Sequence, residues 1–385
     1  MTDRERFHAT MHYRARDRSP LCDFGFWRDT LTIWRQQGLP DHIDKTNSDE
    51  YFGMDYGLDA VMTASGVEVG LTPAFEELVL EDRGDHELVQ QWDGVRVLRR
   101  KFLGSIPMPM VYRLVDRDSW RQHYKPRLDP THPDRYPPDW DERLRVWKDP
   151  NRAEVICLPC GRLCASLYGW LRNWMGVEEL SLVVYDDPAW FEEMVSTVAD
   201  CVIGVMEKVL QAGGRFDACA LWEDMCYNGS PLLSPSHFKR FLSPHYRRIS
   251  DLVRKYGVDV LWVDCDGKID ALLPLWLEAG INCMFPVEVG TWGGDPVRFR
   301  REYGRDLLLI GGFDKHILAQ GRREIEQEVI RLAPLVEEGG YIGCCDHRVP
   351  PDVPLSNYLY YLETVRRVWC GDLNLKPIPA LQDPR

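Results

Sequence analysis

The stretch Val258-Asp-Val-Leu-Trp-Val-Asp264-Cys265-Asp266-Gly267 sets the reading of this chain. A strand-length apolar run ends there in a knot of polar, metal-capable side chains. Three later runs repeat the pattern. They are Ile281-Asn-Cys-Met-Phe-Pro286-Val-Glu288, Asp306-Leu-Leu-Leu-Ile-Gly-Gly-Phe-Asp314-Lys315 and Gly339-Gly-Tyr-Ile-Gly-Cys-Cys345-Asp346-His347. Each is followed by a helix-like segment. Polar residues gathered at the carboxyl ends of successive strands are the signature of an active site on an α/β barrel. The pattern predicts an enzyme and places its site.

Working outward, the strand–helix rhythm starts near residue 154. Strand starts fall near 154, 217, 258, 281, 306 and 340. Helices are expected over Pro188–Gly213, Ser234–Tyr256, Lys268–Gly280, Pro296–Tyr303 and Arg322–Glu338, several stopping at glycine. Alternation of this kind implies parallel pairing with right-handed crossovers. No Gly-x-Gly-x-x-Gly turn follows an early strand, which argues against a dinucleotide fold.

Upstream, residues 1–18 read as a charged helix and 21–26 as a first strand. Thr30 to Gln37 reads as a helix stopped by Gly38-Leu-Pro40. Residues 75–115 alternate apolar and polar and predict an antiparallel hairpin turned at Asp93-Gly94. The stretch 124–150, with six prolines, reads as an irregular surface excursion. The whole is expected to be one domain. Residues 1–150 supply the first strand and helix plus an insertion, 151–370 the clearest barrel segment, and 371–385 a tail.

Composition fits that picture. The chain has 385 residues, 44% hydrophobic and 28% charged, enough apolar content for a large core. Its net charge of −13 argues against nucleic-acid and anionic-membrane partners. No apolar run is long enough to span a bilayer, and the opening Met-Thr-Asp-Arg-Glu-Arg lacks a signal-peptide core. The 12 cysteines are scattered, as expected for reduced thiols in the cytoplasm. The nearest pairs are Cys157 with Cys160 and Cys344 with Cys345.

Several strings resemble the uroporphyrinogen decarboxylase superfamily. They include Arg172-Asn-Trp-Met-Gly-Val-Glu-Glu-Leu180, Asp186-Asp-Pro188 and Leu221-Trp-Glu-Asp-Met225. Further matches are Leu233-Ser-Pro235-x-x-Phe238, Gly311-Gly-Phe-Asp-Lys315 and Val349-Pro-Pro-Asp-Val-Pro-Leu-Ser-Asn357. The resemblance covers about residues 154–370 and implies a single (β/α)8 TIM barrel. One branch, the true decarboxylases, carries an early Met-Arg-Gln-Ala-Gly-Arg segment; here the chain has Trp34-Arg-Gln-Gln-Gly38. The other branch, cobamide-linked methyltransferases, holds zinc through His-x-Cys-Gly and a late Cys. Those positions fall on Asp264-Cys265-Asp266-Gly267 and on or beside His347.

The resemblance therefore implies a divalent metal, zinc first among the candidates, on Asp264, Asp266 and His347. Carboxylates at i and i+2 of a strand point the same way, so both reach one ion. Carboxylate and imidazole donors also suit manganese and iron(II). Glu223, Glu288 and Lys315 are the expected catalytic groups. Glu223 would serve as a general acid or base raised by its neighbours Trp222 and Met225. Lys315 would neutralise a carboxylate or form a Schiff base. Phe24, Phe26, Trp27, Trp222, Tyr227 and Arg348 are expected to bind substrate, with Arg162 a further anion-binding candidate. Phe24 and Phe26 would share one face of the first strand.

The expected activity is methyl transfer between a small methylated substrate or thiol and a corrinoid protein. That partner would supply the corrinoid, because Asp314-Lys-His316 and Asp346-His347 do not complete an Asp-x-His-x-x-Gly cobamide motif. The alternatives are a decarboxylase of uroporphyrinogen or of a small aromatic acid, and a non-catalytic tetrapyrrole- or corrinoid-binding subunit. A homodimer is left open.

Overall fold

A computed structural model of the chain describes residues 1–101, 104, 106–158, 164–371, 375, 377 and 378. Arg162, Cys160 and most of the tail lie outside the described residues. Two short parallel strands, β1 (Cys22–Asp23) and β2 (Tyr56–Gly57), open the fold. Four antiparallel strands follow as a separate sheet: β3 (Leu78–Arg83), β4 (His86–Gln90), β5 (Arg96–Arg100) and β6 (Met108–Val111). Then come β7 (Cys157–Leu158), β8 (Ala218–Trp222), β9 (Leu261–Asp264), β10 (Cys283–Val287), β11 (Leu308–Phe313) and β12 (Tyr341–Cys345). These six form one parallel sheet in chain order.

β12 turns back onto the start of the chain. Phe26 bridges Val349 in parallel, and the Val349 N–H donates to the Gly25 carbonyl at 3.0 Å. Eight parallel strands thus succeed one another, β2-β1-β12 through to β7, in the order an α/β barrel requires. No ladder joins β2 to β7 among the described residues. Leu58, Val61 and Met62, from the helix Leu58–Thr63, pack with Cys157 in one cluster across that gap.

That cluster is the barrel interior. It takes alternate residues from successive strands: Cys22 and Phe24, Ala218 and Ala220, Val260 and Trp262, Cys283 and Phe285, Leu308 and Ile310, Ile342 and Cys344. A two-residue period sends these inward and their neighbours outward against the helices. Phe7 and Met11, on the helix Asp3–Met11, close the amino-terminal end. Outside, the helix Pro188–Gln211 shows how the covering layer forms. Asp187 caps it by accepting from the Trp190 N–H at 3.2 Å, and Pro188 starts it. Phe191, Val195, Val198, Val202, Val205 and Val209 then recur at three- and four-residue spacing and are buried.

Three expectations need correction. The alternating region 75–115 contains four strands, not a single hairpin. Its Asp93-Gly94 turn is real, with Gly94 at φ +84°, but a second turn at Gly84 separates β3 from β4. The proline-rich excursion is not merely surface, because Tyr124, Leu128, Arg135 and Trp147 are buried. The Arg135 guanidinium donates to the carbonyls of Glu68, Gly70, Arg127 and Asp129, so a cation stitches the excursion to the segment before β3. Phe24 and Phe26 do not share a face. Gly25 adopts φ +89°, which breaks the alternation. Phe24 stays in the interior, whereas Phe26 packs with Trp34, Phe52 and Tyr358 behind the barrel wall, 1% exposed.

Candidate active site at the carboxyl end of the barrel

β8 and β9 pair so that Trp222 lies opposite Asp264. Two residues beyond each stand Asp224 and Asp266, continuing the inward series. Asp224, Asp264 and Asp266 each offer a carboxylate oxygen, and the three oxygens lie within 4.8 Å of one another. The Asp266 N–H donates to Asp224 Oδ1 at 3.0 Å, which ties the two strand ends together. Asp224 takes a positive φ of 40°, uncommon for a residue with a side chain. Gly267 is needed beside it, since a Cβ there would come within 2.6 Å of the Cys226 carbonyl carbon. His347 Nε2 lies 3.5 Å from Asp266 Oδ2. Its ring stacks on Trp27 at 5.8 Å and meets Phe24 edge-on at 5.5 Å.

Crowding of like charge governs this cluster. Burial, reinforced by the charge of Asp266, pushes the Asp224 carboxyl up to about 6. Burial together with Asp224 and Asp266 pushes Asp264 well above the ordinary carboxylate value. No hydrogen-bond donor meets the Asp264 carboxylate among the described residues. A buried carboxylate without a donor or a counter-charge is costly, and a bound cation is the common remedy. The donor set, three hard oxygens with an imidazole at its edge, fits a divalent metal. Asp264 and Asp266 are thus brought together as expected, with His347 beside Asp266. Asp224 completes the trio and escaped the sequence reading.

Glu223 points the other way. One residue out of phase with Trp222 and Asp224, its carboxylate enters the wall between barrel and helices, fully buried. It accepts from the N–H groups of Leu167, Tyr168 and Gly169 at 2.8, 2.9 and 3.1 Å, from Ser166 Oγ at 3.0 Å and from the Tyr246 hydroxyl at 2.5 Å. Burial pushes its pKa up, and those donors oppose the rise. Five donors occupy the carboxylate and anchor the turn that starts the helix Gly169–Met175.

Lys315, Glu288 and Asp346 make a second group. Lys315 Nζ donates to Glu288 Oε1 at 2.9 Å and lies 3.8 Å from Asp346 Oδ1. Glu288 Oε2 accepts from the Gly267 N–H at 3.1 Å, next to Asp266. Asp346 accepts from the backbone of Val289 and Lys315 at 2.8 and 2.9 Å. Burial pulls the lysine pKa down, but Asp346 and Glu288 outweigh it and hold the ammonium above the usual lysine value. An amine kept protonated suits charge pairing, not Schiff-base formation.

The remaining expected residues divide. Arg348 donates to the Phe24 carbonyl at 2.9 Å and pairs with Asp59 at 2.7 Å, with its guanidinium 4.3 Å from the Phe24 ring centroid. Tyr227 is 60% exposed and stands at the rim beside Trp292. A cleft of about 650 Å³ opens between the barrel mouth and the antiparallel sheet. Asp224, Cys226, Tyr227, Leu232 and Arg172 line it from the barrel, and Val95, Val97, Pro109 and Tyr112 from the sheet. Trp222 reaches the site through Arg172, whose guanidinium sits 5.3 Å from its ring centroid. Arg172 was quoted in the sequence only as part of a resembling string. Its cleft position depends on the helix after β7, which no spacing rule reveals.

A family model described as Uroporphyrinogen decarboxylase (URO-D) matches residues 172–368, which include all three clustered aspartates, Glu288, Lys315 and His347. The uroporphyrinogen decarboxylase of Acidiphilium cryptum is 27% identical over 200 residues, 51% of this chain and 53% of that protein. That of Syntrophotalea carbinolica is 26% identical over 192 residues, 49% and 52%. The chain therefore spans about half the length of the curated relatives it matches. A solved methyltransferase from Methanosarcina mazei shares the fold over 95% of this chain and 98% of that one, with a TM-score of 0.55 at 14% identity.

Proposed function

We propose that this chain, which belongs to the uroporphyrinogen decarboxylase family, is a metal-dependent methyltransferase acting between a small methylated substrate or thiol and a corrinoid protein. The observation that carries the reading is the convergence of Asp224, Asp264 and Asp266 at the barrel mouth, with no donor on the Asp264 carboxylate among the described residues. Such a cluster of hard oxygens suits a divalent cation. The fold shared with a methyltransferase over nearly the whole chain supports the same reading.

A divalent ion held there would supply Lewis acidity at the heteroatom that gains or loses the methyl group. Zinc is the leading candidate, with manganese and iron(II) suited to the same oxygens. The chain's own residues set the stage. Asp224, Asp264 and Asp266 hold the ion, and His347, stacked on Trp27, flanks Asp266. Lys315 and Glu288 fix the Gly267 backbone that carries Asp266. Glu223 acts through the Ser166–Gly169 turn. The corrinoid comes from a separate partner facing the cleft.

Elemental analysis of untagged protein should find about one divalent metal per chain, lost in Asp264→Asn. An anaerobic assay with reduced corrinoid carrier, followed by cobalt absorbance, should show methylation that depends on both metal and carrier. Turnover without carrier would exclude this reading. The names of the curated relatives favour a second one, decarboxylation of a porphyrinogen or small aromatic acid. Anaerobic conversion of uroporphyrinogen at a useful rate by the metal-free protein would establish it instead.

A further inference from the structure

The cleft beside Asp224 is also lined by Gln91, Asp93, Arg172, Asn173 and Tyr112, which nothing in the proposed metal chemistry uses. Arg172 stands at its inner end. Nη1 donates to the Asp224 carbonyl, and Nε and Nη2 donate to Asn173 Oδ1 at 3.3 and 3.1 Å. With Trp222 beneath it, the guanidinium is fixed in place. Among the described residues these bonds leave one N–H on each Nη without a protein partner, and no carboxylate pairs with Arg172 within 4.0 Å. Asn173 spends its oxygen on Arg172, so its amide NH2 remains to donate. Tyr112 comes from the sheet side. Its ring lies over Gly176, where a Cβ would approach to 2.8 Å, so the absence of a side chain lets the phenol reach down beside the arginine helix. Its hydroxyl has no hydrogen-bond partner among the described residues.

The rest of the cleft wall is largely apolar, with Val95, Val97 and Leu232 facing the space. Half-buried donors around one cation, set in apolar walls, define a ligand with a compact anionic head and an apolar body. A guanidinium presents two coplanar N–H groups, which match the two oxygens of a carboxylate. With Asp224 and Asp93 lining the same cleft as Arg172, a monoanionic carboxylate meets less repulsion than a phosphate dianion. We propose that Arg172, Asn173 and Tyr112 form a carboxylate-binding subsite, and that the substrate is a small carboxylic acid with an apolar body. This inference rests on the reading above only in placing the reaction in this cleft.

Benzoate and its neutral isostere benzamide test the subsite by calorimetric titration of the full chain. Benzoate should bind at least about tenfold more tightly than benzamide, as a charge-assisted pair requires. Arg172→Gln should weaken benzoate by about 10- to 100-fold and leave benzamide within about threefold. Tyr112→Phe, a deletion of one hydroxyl that leaves the ring packing over Gly176, should weaken benzoate by about 3- to 10-fold. Circular dichroism checks that both variants fold, and Tyr112→Phe carries the test if Arg172→Gln does not. Equal binding of benzoate and benzamide, no heat at millimolar benzoate, or unchanged benzoate affinity in the folded variants would each overturn the subsite. None of these readouts involves cobalt. Discrimination without methyl transfer keeps the subsite and removes the methyltransferase reading, and methyl transfer without discrimination does the reverse.

Discussion

Asp217 and Asp224 stand at opposite ends of one barrel strand and live under opposite electrostatics. At the amino-terminal end, Asp217 is fully buried and surrounded by two arginines, a histidine and a backbone donor. Arg152 Nη2 lies 2.6 Å from it, Arg4 Nε 2.6 Å and His8 Nε2 2.9 Å, while the Ile156 N–H donates at 2.9 Å. Burial pushes the Asp217 carboxyl up, but the His8 bond and the charges around it win and set it at about 2. At the carboxyl end, Asp224 and Asp264 face another carboxylate instead, and both are raised. A buried charge matched on every side is architecture. A buried charge crowded by its like is left for something the chain itself does not provide.

The most severe way to break that contrast is Asp217→Asn. It leaves Arg152, itself 5% exposed, without its charge partner. Removing one member of a buried pair costs about 3–5 kcal/mol. Urea denaturation should show a loss of that size, with metal binding at the other end untouched in the folded protein. A loss under about 1 kcal/mol would mean the lower cluster is hydrated and not structural.

Glu223→Gln sharpens the comparison, because Glu223 sits at the catalytic end yet is matched like Asp217. The amide would turn an N–H2 toward backbone donors and leave at least one of them unsatisfied. The expected cost is about 1–3 kcal/mol. Turnover per folded molecule should change far less than the 10²–10⁴-fold loss that removal of a general acid produces. A folded variant that binds metal but has lost turnover on that scale would restore Glu223 to proton transfer.

These cases also show what the sequence made legible. The apolar runs and their glycine stops place β8 to β12 within a few residues, because buried parallel strands are continuous and hydrophobic. The polar knots after those runs locate the reactive end. The face of each residue is harder to read. Glu223 drew attention as an acid between Trp222 and Met225, yet a two-residue period from Ala218, Ala220 and Trp222 points to Asp224. That count was available in the sequence, but it requires knowing that the strand's inward phase runs past Trp222. Phe26 failed for a related reason, since Gly25 resets the phase in a strand too short to reveal it. Arg135 had no signal, and Arg172 stood out only as part of a resembling string. Each owes its place to carbonyls or loops brought together from distant parts of the chain.

Asp264→Asn should act in the direction opposite to Asp217→Asn. In metal-free protein it removes one of three mutually repelling carboxylates. Stability should rise, because a carboxylate pushed up by burial and by its like-charged neighbours is removed. Added zinc or manganese should then raise the thermal midpoint of the wild type but not of the variant. A variant less stable than the metal-free wild type would show that Asp264 is matched by a donor and that the crowding argument is wrong.

The smallest effect expected is a difference in pH dependence between the two ends. In the unfolded chain both aspartates titrate near 3.8. Asp217, depressed to about 2 in the folded state, contributes stability that is complete above 3.8 and is lost as pH falls toward 2. Asp224, raised to about 6, does the reverse. As pH climbs past 3.8 the unfolded chain releases its proton first, so folding loses stability until about 6, where both states are ionised. Chelator-treated wild type should therefore lose stability relative to Asp224→Asn between pH 4 and 6 and run parallel to it above pH 7. The gap should be on the order of 1 kcal/mol, because partial exposure of Asp224 screens its charge. With saturating metal the slope should vanish, since a bound cation keeps the carboxylate ionised throughout. Parallel curves from pH 4 upward in the metal-free protein would mean that Asp224 titrates normally and that the upper cluster is not crowded in solution.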